Sequence, residues 1–220
     1  MSKIVIAIDG PAGAGKSTVA KILAQRLGLH YLDTGAMYRC LALAATRGGL
    51  GPDDGEKAAL IPIEISFGDG DPQPVFLNGE DVTALIRTPE IAELASALSA
   101  HSAVRAVLAT RQKEIVAAGG YTLEGRDTTT VVAPNATLKV FLTASLEERT
   151  RRRLEELEAK GVHHEANDLA RQISERDHRD RTRDDSPLTQ APDAVLVETF
   201  GLTPIQVADA IEAALKQKLA

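Results

Sequence analysis

One cysteine, Cys40, occurs in 220 residues, so no disulfide can form within the chain. That scarcity points to a reducing compartment, the cytoplasm, and Cys40 reads as a small buried apolar residue. Tryptophan is missing and aromatic residues make up 3%. The stacking platforms on which single-stranded nucleic acid lies are therefore poorly supplied. Positive charge is not in excess either: 25 Lys and Arg against 31 Asp and Glu leave a formal net charge of −6. This argues against a broad basic surface for nucleic acid, and phosphate chemistry must rest on local arginine clusters. No apolar run is long enough to span a membrane. The apolar run near the N-terminus is too short for a signal segment. Repeats and low-complexity tails are absent. The expectation is one substantial domain with small inserts, monomeric by default.

The chain is organised around Ile4 to Thr18. Ile4, Val5, Ile6, Ala7 and Ile8 form a short β-branched run that suits a strand buried on both faces, with Asp9 ending it. Gly10, Pro11, Ala12, Gly13, Ala14, Gly15, Lys16 and Ser17 then fit G-x-x-x-x-G-K-[ST], the P-loop, and Thr18 continues into a helix. The glycines let successive N–H groups face inward as a nest for an anion. The following helix aims its positive end at the same point. Lys16 would place a cation on the outer phosphates, and the Ser17 hydroxyl would face Mg²⁺. The motif calls for a nucleoside triphosphate such as ATP, and for Mg²⁺.

Beyond the loop the helix–strand rhythm continues. A helix closes at Gly28, and His30–Leu32 reads as a second strand. Asp33-Thr34-Gly35 reads as a polar turn and Ala36–Thr46 as a helix. From Ile61 to Thr83 the pattern changes to short alternating runs split by Gly-Asp-Gly-Asp-Pro and Asn78-Gly79, an antiparallel insert. Helix resumes at Pro89, with Val104, Val107, Leu108 and Ile115 as its stripe. Tyr121–Glu124 and Thr137–Thr143 read as the third and fourth core strands, and Glu147–Lys160 as a charged helix. That helix offers Glu147–Arg151, Arg151–Glu155 and Arg152–Glu156 at i,i+4 spacing. A helix over Leu169–Asp185 alternates in sign until Pro187, then Ala194–Glu198 is a fifth strand and Thr203–Leu219 a closing helix. The sum is an α/β fold: a three-layer core on a five-stranded parallel sheet, one antiparallel insert and one arginine-rich flap.

These stretches resemble a family. IDGPAGAGKST at 8–18, LDTGAMYR at 32–39, NGEDVTALIRTPEIAELAS at 78–96, EGRDTTTVV at 124–132, VFLTAS at 140–145 and ERDHRDRTRDDSPL at 175–188 stand in the order found in bacterial cytidylate kinases, nucleoside monophosphate kinases of the P-loop fold. The resemblance implies a core over 1–60, 105–148 and 186–220, a monophosphate-binding insert over about 61–104 and a lid over about 149–185. By the family's motifs Arg39, Arg126 and Arg183 hold the acceptor phosphate. Thr34, Tyr38 and Asp180 lie along the sugar, and Ser96, Arg105 and Asp127 read the cytosine. Arg176 is a lid arginine closing on the phosphates in flight. Two departures stand out. Thr128-Thr129 follow GRD where the family usually has a hydrophobic residue and glycine, and Glu124 stands where aspartate is common.

The implied activity is transfer of the γ-phosphoryl of ATP to CMP or dCMP. The attacking phosphate oxygen, with a second pKa near ~6, is already mostly ionised at neutral pH, so no general base is required. Two rivals are weighed against this. A P-loop kinase for another monophosphate such as UMP keeps the same logic, and one for a hydroxyl acceptor would need a carboxylate base, for which Asp33 is the candidate. A nucleotide-switch module would need a partner surface and, for guanine, an N-K-x-D motif that the chain lacks after the fourth strand.

Overall fold

The run Val5–Asp9 becomes strand β1 and sits at the centre of the sheet, with Ile6, Ala7, Ile8 and Asp9 wholly buried. A strand covered on both faces tolerates no polar alternation, which is why the run is continuous. The protein is described here from a computed structural model covering residues 3–159 and 161–220. Along the chain follow α1 (Lys16–Leu27), β2 (His30–Asp33), α2 (Thr34–Arg47), α3 (Gly55–Ala59), β3 (Ile65–Phe67), β4 (Val75–Leu77) and β5 (Glu80–Asp81). Then come α4 (Pro89–Leu98), α5 (Ser102–Val116), β6 (Tyr121–Gly125), β7 (Leu138–Thr143), α6 (Leu146–Glu158), α7 (Ala166–Thr182), β8 (Val195–Glu198) and α8 (Pro204–Leu219). The chain divides into two compact units, Met1–Leu32 with Lys113–Ala220, and Asp33–Gln112.

The first unit carries the five-stranded parallel sheet in the order β2-β6-β1-β7-β8. β1 runs parallel to β6 and β7, with Asp9 opposite Gly125 on one side and Phe141 on the other. Ile6 and Ile8 pack with Val19 and Leu23 of α1, Val140 and Leu142 of β7, and Val207 and Ile211 of α8. α6 and α7 close a smaller apolar cluster of Leu154, Leu157, Leu169 and Ile173. The second unit holds the antiparallel sheet β3-β4-β5, and packs α2 on α4.

Several boundaries differ from the sequence reading, each for a local reason. β1 includes Asp9, because its carboxylate is bonded inside the protein. Thr34 and Gly35 are the first residues of α2 rather than a turn, because the Asp33 side chain caps the helix by accepting from the Ala36 N–H at 2.9 Å. Val107 is 46% exposed and leaves the buried stripe of α5, which runs through Val104, Leu108 and Val116 instead. α6 ends at Glu158, and Lys160 lies outside the described residues. Its ion pairs are Arg151 with Glu148 and Glu155, Arg152 with Glu148, and Arg153 with Glu156, so Glu148 rather than Glu147 organises the first turn. α7 stops at Thr182, well before Pro187, where Arg183 turns extended.

α8 opens with a full capping box: the Thr203 hydroxyl accepts from the Gln206 N–H, and the Gln206 side chain accepts from the Thr203 N–H. Thr203→Ala is expected to cost about 1 kcal/mol in urea unfolding with an unchanged slope. Arg153→Ala, which removes an exposed pair, is expected to change stability by less than ~0.5 kcal/mol.

Candidate active site

The phosphate loop leaves the C-terminal end of β1. Gly10, Gly13 and Gly15 adopt φ of 153°, 76° and 91°, backbone that side chains disfavour. At Gly10 space adds to the constraint: a Cβ there would lie 2.1 Å from the Leu142 carbonyl oxygen. Gly15 caps α1 without a side-chain bond, and the first turn of α1 holds no acidic residue. Its leading N–H groups and positive end are thus left for an anion. Ala12, at the crest of the loop, is gripped on both sides. Its N–H donates to Asp177 Oδ1 at 3.1 Å, and its carbonyl accepts from Arg149 at 3.0 Å. Arg149 and Asp177 form a buried ion pair with each other at 2.5 Å, and Arg149 also donates to the Ala144 carbonyl.

Lys16 is buried, and its Nζ donates to the Pro11 carbonyl at 2.8 Å. Burial pushes its amine down to about 7, and the nearby Arg126 and Arg176 cations push the same way against the pull of Glu124 and Asp9. Glu124, next to last in β6, accepts from the Ser17 hydroxyl at 2.7 Å and from the Tyr31 hydroxyl at 3.4 Å. The longer side chain at this position is therefore accommodated, and it places a carboxylate oxygen against the hydroxyl expected to face Mg²⁺.

Arg126 follows β6 and donates through Nε to Asp180 Oδ2 at 2.7 Å. Arg183 reaches Asp180 Oδ1 at 3.6 Å and donates to the Ser186 carbonyl. Burial works against the charge on Asp180, yet the Arg126, Arg176 and Arg183 cations hold its carboxyl below the usual range. Lys16, Arg126, Arg176 and Arg183 thus lie within electrostatic reach of Glu124 and Asp180. Asp127, beside Arg126, is buried.

The second unit holds the remaining candidates. Thr34 is buried in the first turn of α2, and Ser96 is buried on α4. Arg105 of α5 is 2% exposed; its guanidinium lies over the Tyr38 ring at 5.6 Å and donates to the Ser99 carbonyl. Arg39 donates to Asp33 Oδ2 at 2.7 Å. Asp33 therefore spends one oxygen on the helix cap and the other on Arg39, which leaves it poorly suited as the base of a hydroxyl kinase.

Sequence reasoning passed over Asp9, Tyr31, Arg149 and Asp177. Asp177 had a usable signal, standing one helical turn before Asp180. Arg149 had none, being one of several arginines in a charged helix. Among the described residues, no helix is long and apolar enough to cross a membrane.

A glycine loop feeding a helix, a buried lysine behind it and guanidinium groups set round carboxylates define a phosphotransferase of the P-loop kinase class. Solved structures share the fold. A gluconokinase from Sinorhizobium meliloti 1021 superposes with a TM-score of 0.53 at 14% identity, over 98% of this chain and 93% of that one. An uncharacterized protein from Eubacterium ventriosum ATCC 27560 gives 0.52 at 14% identity, over 98% and 99%. The sequence is more particular: the family model described as Cytidylate kinase matches residues 6–217. A cytidylate kinase from Listeria welshimeri is 47% identical over 99% of this chain and 98% of its own length. Another from Carboxydothermus hydrogenoformans is 50% identical over 90% of each chain. The chain belongs to the cytidylate kinase family.

The depressed Lys16 amine has a measurable sign. At pH 8 the ligand-free amine is mostly neutral, and an arriving triphosphate favours its charged form. ATP binding is expected to take up close to one proton there, read by calorimetry in buffers of differing ionisation heat, and Lys16→Met abolishes the uptake. The unfolded chain keeps that proton up to the ordinary lysine value of about 10.5. Through this group, stability of the ligand-free chain therefore rises with pH from about 7 toward 10.5.

Proposed function

We propose that the chain transfers the γ-phosphoryl of ATP to the phosphate of CMP, and of dCMP, giving the diphosphate and ADP, as a monomer in the cytoplasm. Family membership supports the reaction, and one observation carries its assignment to particular residues: Lys16, Arg126, Arg176 and Arg183 gather round buried carboxylates. The acceptor arrives ionised, so the chain has no proton to remove. It has to align two anions and offset their repulsion.

Gly10 to Thr18 would cradle the donor's phosphates, with Lys16 on the outer ones. Ser17 and Glu124 supply hard oxygen donors, directly or through water, of the kind Mg²⁺ takes. When bound, Mg²⁺ would neutralise part of the donor's charge and orient its phosphates. Arg126 and Arg183, now turned on Asp180, would pass to the acceptor phosphate, and Arg39 has the same assignment by the family's motifs. Asp180 would then be released toward the sugar, to which the family's motifs also assign Thr34 and Tyr38. Arg176 would screen the group in flight, and helix α7 would exclude water as a lid.

Asp127, Arg105 and Ser96 are assigned to the base. Cytosine presents an amino donor where uracil presents a carbonyl. A carboxylate accepts from the first and repels the second. A buried polar pocket left unpaired by UMP would lose several kcal/mol, on the order that separates substrates ~10⁴-fold.

Two measurements test the reading. A panel of CMP, dCMP, UMP, AMP and shikimate, followed by ADP release, is expected to give turnover with CMP and dCMP; no CDP from CMP sinks it. Arg126→Ala is expected to lower turnover with CMP by roughly 10²-fold or more. ATP affinity should stay within about threefold, because the donor's phosphates are assigned to Gly10 to Thr18 rather than to that guanidinium. Unchanged turnover removes Arg126 from the site.

A further inference from the structure

Asp9 is a carboxylate with no solvent exposure at the point where β1 becomes the phosphate loop. An ionised carboxylate in such a place is costly unless its lone pairs are filled. They are filled by two successive residues. Thr128 donates its backbone N–H and its hydroxyl to Oδ1, each at 2.8 Å. Thr129 donates its N–H at 2.7 Å and its hydroxyl at 2.6 Å to Oδ2. Four donors match the roughly four acceptor sites of a carboxylate. Asp9 therefore has nothing left to offer a metal or a substrate.

The donors belong to the turn that carries the acceptor-side residues. Arg126 and Asp127 immediately precede Thr128, and the strand ending at Gly125 pairs with Asp9 itself. The turn is wound as a short π-helical segment, Thr128–Val132, with the Asp127 carbonyl accepting from Val131 and Val132. Thr128 and Thr129 are buried as completely as Asp9. One residue later in β1's direction lies Gly10, packed against Leu142 too closely for a Cβ. Neither end of this tie has room to drift.

We infer that Asp9 is a positioning residue for the transfer: by filling its carboxylate with the Thr128 and Thr129 donors, it fixes the turn that presents Arg126 and Asp127 to the base of the phosphate loop. The inference rests on the kinase reading above for its consequence in turnover, and on bonding alone for its consequence in the turn. The hydroxyls matter because a carboxylate held by two amides alone keeps unfilled lone pairs in a dry site. Burial already pushes its carboxyl up, against the four bonds that restrain it.

The threonines carry the test, since Asp9→Asn would set an amide NH₂ against donors and endanger the fold. Thr128→Val with Thr129→Val keeps the branched shape and the backbone donors and removes both hydroxyls. Thr128→Ser with Thr129→Ser restores them. In the double valine variant kcat with CMP is expected to fall about tenfold or more, with KM for ATP within about twofold, because the turn is displaced and the donor loop is not. Backbone amide exchange over 125–132 in the ligand-free chain should quicken about tenfold, with α1 and α8 unchanged. The serine variant should return both readouts to within about twofold of the starting chain. Two results overturn the inference: valine variants whose turn exchanges as slowly as before, or serine variants as impaired as the valine ones. Absence of CDP production by the unmodified chain would sink the kinase reading and leave the exchange measurement to decide this one.

Discussion

Like charges gathered in a half-buried space repel, and Lys16, Arg126, Arg176 and Arg183 are such a set. The fold can assemble them before any nucleotide arrives because carboxylates are buried beside them. Asp180 takes Arg126 and Arg183, and Glu124 sits between the Ser17 hydroxyl and the field of Lys16. Lys16 yields further, its amine brought down to about 7 by burial and by its cationic neighbours. The site is thus a balance of charges stabilised in advance, and on the proposed reading phosphate oxygens would take the place of protein ones.

The backbone is arranged to support that balance. α7 presents Asp177 and Asp180, three residues apart, on one buried face. Asp177 holds the crest of the phosphate loop through Ala12, with Arg149 of α6 completing the grip. Asp180 holds the arginine that follows β6. A single helix therefore meets both the phosphate loop and Arg126. Removing either member of the Arg149–Asp177 pair would strand a buried charge, which is the expensive way to break such a contact.

Much of this was legible in the sequence, and the reasons can be located. The run Ile4–Ile8, the glycine pattern and Gly28 follow from periodicity and backbone freedom, so the sheet and loop could be read directly. The acceptor-side arginines could be named only through motif resemblance, since an arginine on a polar helix has no periodic mark. What escaped was partnership. Glu148 in place of Glu147, the capping role of Asp33 and the Arg149–Asp177 grip on Ala12 depend on side-chain direction and on contacts between distant segments. Thr128-Thr129 read only as a departure from the family's pattern; in the structure those side chains add two bonds to the buried Asp9.

The Asp180 carboxylate has a consequence for life in a solution crowded with small ions. Arg126 and Arg183 do not wait bare: the Ser186 carbonyl accepts from Arg183, and the Asp180 carboxylate accepts from Arg126 and lies 3.6 Å from Arg183. Chloride, sulfate or free phosphate must evict that carboxylate with nothing further to gain. A nucleotide brings a sugar and a base whose added contacts make the eviction worthwhile. On the proposed reading, selectivity begins before recognition of the base, as a threshold that only a ligand with several attachments can cross.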